Sequence, residues 1–239
     1  MTFDRQGLIL CARYAFAPNS LHYCGPERQN DMLGYIRATE ADRGLTELIH
    51  GFETLYPYLL LIASANRIQD PFDRRVVEAY WIGNALLRGA TVRAFTAHVA
   101  DTLGVKKKIP KKKFTPMMDV VVNGTPHHNF HVMNIFFRTG HQAVPHTIST
   151  MDNCRISWGR VVGVGKQYII ETQPLIYAGG KLGLGVSEKK AVTSITVTPK
   201  VGDWVSVHWG YVCAVLNRRE LTLLKKYTTQ ALAATTNIA

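Results

Sequence analysis

Val201-Gly-Asp-Trp-Val-Ser-Val-His-Trp-Gly-Tyr211 is the stretch on which the fold of the C-terminal part of this chain turns. Val205 and Val207 alternate with other residues, a period of two that sets both valines on one face of a strand. The run is short, rich in β-branched and aromatic residues, and bounded by glycines. Upstream, Ile156 to Val164, Tyr168 to Thr172 and Leu182 to Val186 have the same character, and Leu182, Leu184 and Val186 alternate. Short strands at this spacing predict a small barrel. Downstream, Asn217 with Glu220 three positions later forms a capping pair that opens a last helix carrying Leu221, Leu224 and Tyr227.

The residues before Met151 read as helices. Asp70 and Pro71 suit an N-cap and first turn, and Asp73 suits the positive end of the helix dipole. Val76, Val77, Tyr80, Trp81, Asn84 and Leu87 then follow helical spacing as far as Gly89. Val92, Phe95, Val99 and Leu103 mark another stripe, stopped by Gly104. Leu45 to Ala65 is helical with an interruption expected at Pro57. Residues 11–30, with Pro18, Gly25 and Pro26, read as an ordered loop, and the Tyr80–Trp81 pair reads as core. The fold class is therefore α+β in two domains. A mainly helical domain (1–150) precedes a small OB-like β-barrel with a C-terminal helix (151–239), the boundary lying near 145–152.

Two stretches of the second domain carry a likeness to a known family. Cys154-Arg-Ile-Ser-Trp-Gly-Arg-Val161 resembles the opening of the HypC/HupF hydrogenase maturation chaperones, a cysteine followed by proline, glycine and valine. Val201 to Tyr211 is similar to that family's second signature, a glycine–acid–aromatic strand ending in histidine and glycine. In this chain the cysteine is internal, and Trp158 stands where the family has proline. The resemblance spans roughly 151–235 and implies an iron centre carried by Cys154 and His208. It implies as partners a maturation scaffold protein and the hydrogenase large subunit. A thiolate is a good soft ligand for low-valent iron, and an imidazole suits it as second ligand or proton relay. If the two residues cooperate, their side chains must converge.

Thr125-Pro-His-His-Asn-Phe-His131 is the second informative segment. With Thr125 as N-cap and Pro126 in the first turn, a helix would run to Gly140. His127 and His131 would then share a face at i and i+4, the spacing with which two imidazoles chelate one metal. His128 would face elsewhere and orient a neighbour or a ligand. Cys24, Cys154, His141 and His146 are candidates to complete such a site. The other reading is a capped helix start whose histidines bond to loops. There is no acid between the histidines, so a metalloprotease is not indicated.

The totals narrow the alternatives. The longest apolar run, Tyr58 to Ala65, falls far short of the ~20 residues needed to cross a bilayer, so no membrane insertion is expected. Four widely spaced cysteines without a CxxC pair suggest free thiols in a reducing cytoplasm. The net charge of +11 invites a nucleic-acid reading, but Lys106–Lys108 and Lys111–Lys113 supply six of the lysines within eight residues. That run reads as a solvated loop or as a docking patch for an acidic partner. Three functions result. The first is an accessory factor for a nickel–iron hydrogenase metal centre, with iron as the expected metal. The second is a metalloenzyme sited in the helical domain, with the barrel as a docking module. The third is an OB-like nucleic-acid binder using Trp204, Trp209 and the lysine run, although the strands show few aromatic-plus-basic pairs.

Overall fold

The computed structural model describes residues 4–136 and 147–235. Its first helix, α1 (Arg5–Ser20), starts where the Asp4 carboxylate accepts the N–H groups of Gln6 and Gly7. Most of the stretch expected to be a loop is thus helical. Leu8, Cys11, Ala12 and Ala15 form its buried stripe, and Pro18 in the last turn has no N–H to offer the Tyr14 carbonyl. The loop is confined to the turn around Gly25, whose φ of 81° is left-handed. Next come α2 (Gln29–Ala38), α3 (Arg43–His50) and α4 (Leu55–Ala65). The break between α3 and α4 lies at 51–54 rather than at Pro57. Pro57 occupies the first turn of α4, where its missing N–H would have had no helical partner anyway.

Helix α5 (Arg74–Trp81) begins three residues later than the Asp70–Pro71 pair suggests, because Asp73 is its cap. Asp70 instead accepts the backbone N–H groups of Phe72 and Asp4. A 3-10 turn (Ala85–Gly89), α6 (Val92–Ala97) and a π turn (His98–Thr102) follow, and Gly104 ends the series at φ 66°. The lysine run is two short helices, α7 (Val105–Lys108) and the start of α8 (Lys111–Val122), with all six lysines exposed. Helix α9 (His128–His131) continues into a π turn at 132–136. Gly140, His141 and His146 lie outside the described residues. Among the described residues no single helix is long and apolar enough to cross a membrane, and α3 and α4 together are bent by 104°.

After α10 (Ile148–Cys154) come β1 (Ser157–Val164), β2 (Tyr168–Thr172), β3 (Leu175–Ala178), β4 (Lys181–Leu184), β5 (Glu188–Val192), β6 (Trp204–His208) and β7 (Tyr211–Leu216), and then α11 (Arg218–Ala234). The main sheet runs β5-β2-β1-β6-β7, all antiparallel, and β3–β4 forms a separate hairpin. Val161, Ile170, Val192, Val205, Val207 and Val212 pack together in a cluster of their own. The expected barrel is not closed. One parallel bridge, Thr193 to Tyr211, links the ends of the two edge strands among the described residues. Glu188, Lys189 and Ala191 leave most of β5 facing water, and charges on an edge oppose further pairing. Val186, expected in a strand, is 88% exposed beyond the end of β4.

One hydrophobic core crosses from the helices to the sheet. It joins Leu8, Tyr58 and Tyr80 to Ile156, Leu216 and Tyr227. Asn129 fastens the junction: its amide donates to the Ile156 carbonyl (2.9 Å) and the Thr228 hydroxyl (2.8 Å), and accepts the Ile156 N–H (2.7 Å). The Asn217–Glu220 capping box opens α11 as the sequence predicts. Tyr227 packs flush over Gly83, where a Cβ would stand 2.0 Å from the ring.

Candidate metal centre between the helices and the sheet

Three segments converge on one point. His128 opens α9, Cys154 ends α10, and His208 ends β6. One potential ligand atom from each lies within 4.8 Å of the others, a group that could hold a metal ion. Cys154 and His208 thus stand together, and His128 completes the set. Cys154 closes α10, which the reciprocal Thr147–Thr150 cap starts at Ile148.

In the rest of the His127–His131 segment the helix begins later than expected. His127, not Thr125, is the cap of α9, with extended backbone, and its Nδ1 accepts the Asn129 N–H at 3.1 Å. The His131 N–H still donates to the His127 carbonyl at 3.1 Å, and the two side chains take different neighbours. His127 stacks on Tyr227 at 5.4 Å. His131 shares a 3.0 Å hydrogen bond with the Tyr58 hydroxyl.

Backbone carbonyls set the tautomers of the two clustered histidines. His208 donates Nδ1–H to the Tyr14 carbonyl at 2.7 Å, which leaves Nε2 as a lone pair, buried and without a partner. That carbonyl is available because Pro18, four residues on, has no N–H to fill it. His128 donates Nε2–H to the Cys154 carbonyl at 2.8 Å, and its Nδ1 faces the Tyr80 hydroxyl at 3.2 Å. Metal-bound histidines are typically held in this way, one ring nitrogen on a carbonyl and the other presented to the ion.

Burial keeps the cluster neutral. It lowers His208 to about 4, with the Tyr14 and Cys154 carbonyls opposing. It holds His128 well below the ordinary histidine range, and the His208 charge pushes the same way. It raises the Cys154 thiol to about 12, which the Trp209 indole offsets only in part. Neutral imidazoles are the ligating form, whereas the thiol must lose its proton to bind.

The cluster opens on a cavity of ≈ 660 Å³. Tyr80 and Trp81 wall it, together with His131, Trp209 and Lys108. The Tyr80–Trp81 pair is therefore both core and cavity wall. Cys24, a candidate to complete the site, is exposed and lines the same space. Trp209 sits at φ 48°, unusual for a bulky residue, and its indole packs on Tyr23 at 4.7 Å. Trp204, by contrast, lies under the Lys225 ammonium of α11 at 4.9 Å.

Asn129 and Tyr80, which hold the histidine segment in place, were not among the expected site residues. Only proximity in the fold distinguishes them from ordinary core polar groups.

No curated protein and no solved structure is matched by this sequence. A family model described as a family of unknown function (DUF6390) matches residues 3–239, and the chain belongs to that family.

Proposed function

We propose that the protein binds a transition metal, iron foremost, through His128, Cys154 and His208, and serves as an accessory factor in assembling a nickel–iron hydrogenase metal centre. The observation that carries the metal reading is the His208 Nε2 lone pair, buried, unpartnered and beside a thiol. One sulfur and two imidazole nitrogens suit iron, zinc or copper and disfavour magnesium or calcium. The step from metal protein to maturation factor rests on the HypC/HupF resemblance, which pairs the same Cys154 and His208. The strand order β5-β2-β1-β6-β7 with the Thr193–Tyr211 parallel bridge is consistent with a partly open OB-like barrel. Three protein donors leave coordination positions for ligands or for transfer to a partner, here the maturation scaffold and the large subunit.

A second reading, a metalloenzyme, is favoured by the cavity, which has room for an organic molecule beside the metal. The test is anaerobic purification with metal analysis and an infrared spectrum, on wild type and on Cys154→Ala and His208→Ala. Iron in wild type, diatomic-ligand bands, and loss of both in folded variants are expected. Zinc with turnover of a small molecule selects the enzyme. Reconstituted wild type holding no more metal than the two variants would sink both readings.

A further inference from the structure

A second cavity, of ≈ 440 Å³, shares no residue with the first. Arg5, Ile9 and Arg13 of α1 line it, one turn apart on one helix face, and Arg74 of α5 joins them. None of these three guanidinium groups has a carboxylate within 4.0 Å among the described residues, and of Arg74 the Asp4 carboxylate accepts only the backbone N–H, at 2.9 Å. The Arg13 Nε is buried with no hydrogen-bond partner. The Arg74 guanidinium makes one long contact, 3.4 Å, with the Gln6 side chain. Burial holds Arg13 below its ordinary range, with Cys213 and Tyr14 opposing and the Arg74 cation a lesser lowering influence. Cations gathered without an ion-pair partner, one of them half-buried, repel one another unless an anion joins them.

We propose that this cavity binds the phosphate group of a small phosphorylated molecule, with Arg13 and Arg74 gripping the oxyanion and Arg5 at the exposed edge. Guanidinium forks match phosphate oxygens in pairs. Three cations balance a dianion better than the single charge of a carboxylate. Ile9, Leu10, Val197 and Val215 supply an apolar surface for the organic portion of the ligand. The site is independent of the metal cluster, so its failure would leave the metal reading untouched.

The test is thermal unfolding of the full chain titrated with inorganic phosphate, ionic strength held constant with sodium chloride, and a parallel titration with acetate. Saturable stabilisation by phosphate is expected, with acetate binding at least about tenfold more weakly. Arg5→Gln with Arg74→Gln, both at exposed positions, should weaken phosphate binding about tenfold or more, since a charge-assisted hydrogen bond contributes about that factor. Metal content should stay at the wild-type level. Arg13→Gln should weaken binding as well, and because Arg13 is partly buried, the exposed pair carries the test if that variant misfolds. The proposal is overturned by an unsaturable response, by acetate matching phosphate, or by wild-type phosphate affinity in the Arg5/Arg74 double variant.

Discussion

Trp209 and Gly210 form a two-residue turn between the paired residues His208 and Tyr211, and both have positive φ, 48° and 78°. That is the backbone of a primed hairpin turn, which favours asparagine or glycine at both positions. A tryptophan there carries strain of about 1–2 kcal/mol, yet it places an indole against Tyr23 and beside the Cys154 thiol. Strain of this kind collects at functional sites. Trp209→Gly should therefore leave thermal stability equal to wild type or higher, and weaken metal affinity roughly tenfold, the usual effect of losing a supporting group. Calorimetric unfolding and a competitive metal titration would check it. A variant that unfolds earlier yet binds metal normally would make the indole simple packing.

At the scale of elements, α10 delivers Cys154 to the cluster, and a buried ion pair holds α10 in place. Arg155, 1% exposed, donates Nε–H to Asp152 at 2.8 Å and an Nη2–H to the Gln173 carbonyl at 2.6 Å. Asp152 also accepts the Leu175 N–H, which ties the helix to β3. Asp152→Ala leaves a buried cation unpaired and should cost about 3–5 kcal/mol. Replacing both partners with apolar residues of similar size should cost far less, a difference that urea denaturation resolves. Wild-type stability in the single variant would show that the pair holds nothing.

The elements legible from sequence were those with local signals: the Asn217–Glu220 box, the Gly104 stop and the alternating valines of β6. Helix α1 was hidden because Pro18 and Gly25 punctuate its end, and α9 was displaced because His127 caps it in place of Thr125. Cys154 and His208 were readable as a pair only through their likeness to a family. Their meeting with His128 depends on the packing of α9 and α10, which no spacing in the chain encodes.

The whole molecule buries histidines on both sides of its shared core, and this sets its response to acid. His98 is 5% exposed, meets Tyr58 edge-on at 4.5 Å, and burial lowers it to about 4 from the ordinary 6.5. His127 is fully buried against Tyr227 of α11, and burial lowers it to about 3. Both are neutral in the folded protein, whereas the unfolded chain protonates them below about 6.5. Between that value and about 4 the unfolded state holds more protons, so stability is complete above the window and falls as pH drops through it. Each such histidine contributes ~1.4 kcal/mol per pH unit. Denaturation with chelator present should show stability falling between pH 6.5 and 5 with a slope of at least about two protons. His98→Phe should lower that slope by about one proton. Because one core joins helices and sheet, fluorescence and circular dichroism should report a single transition throughout. A flat profile over this window would refute the burial account of these histidines, and separate transitions would mean that the two halves unfold independently.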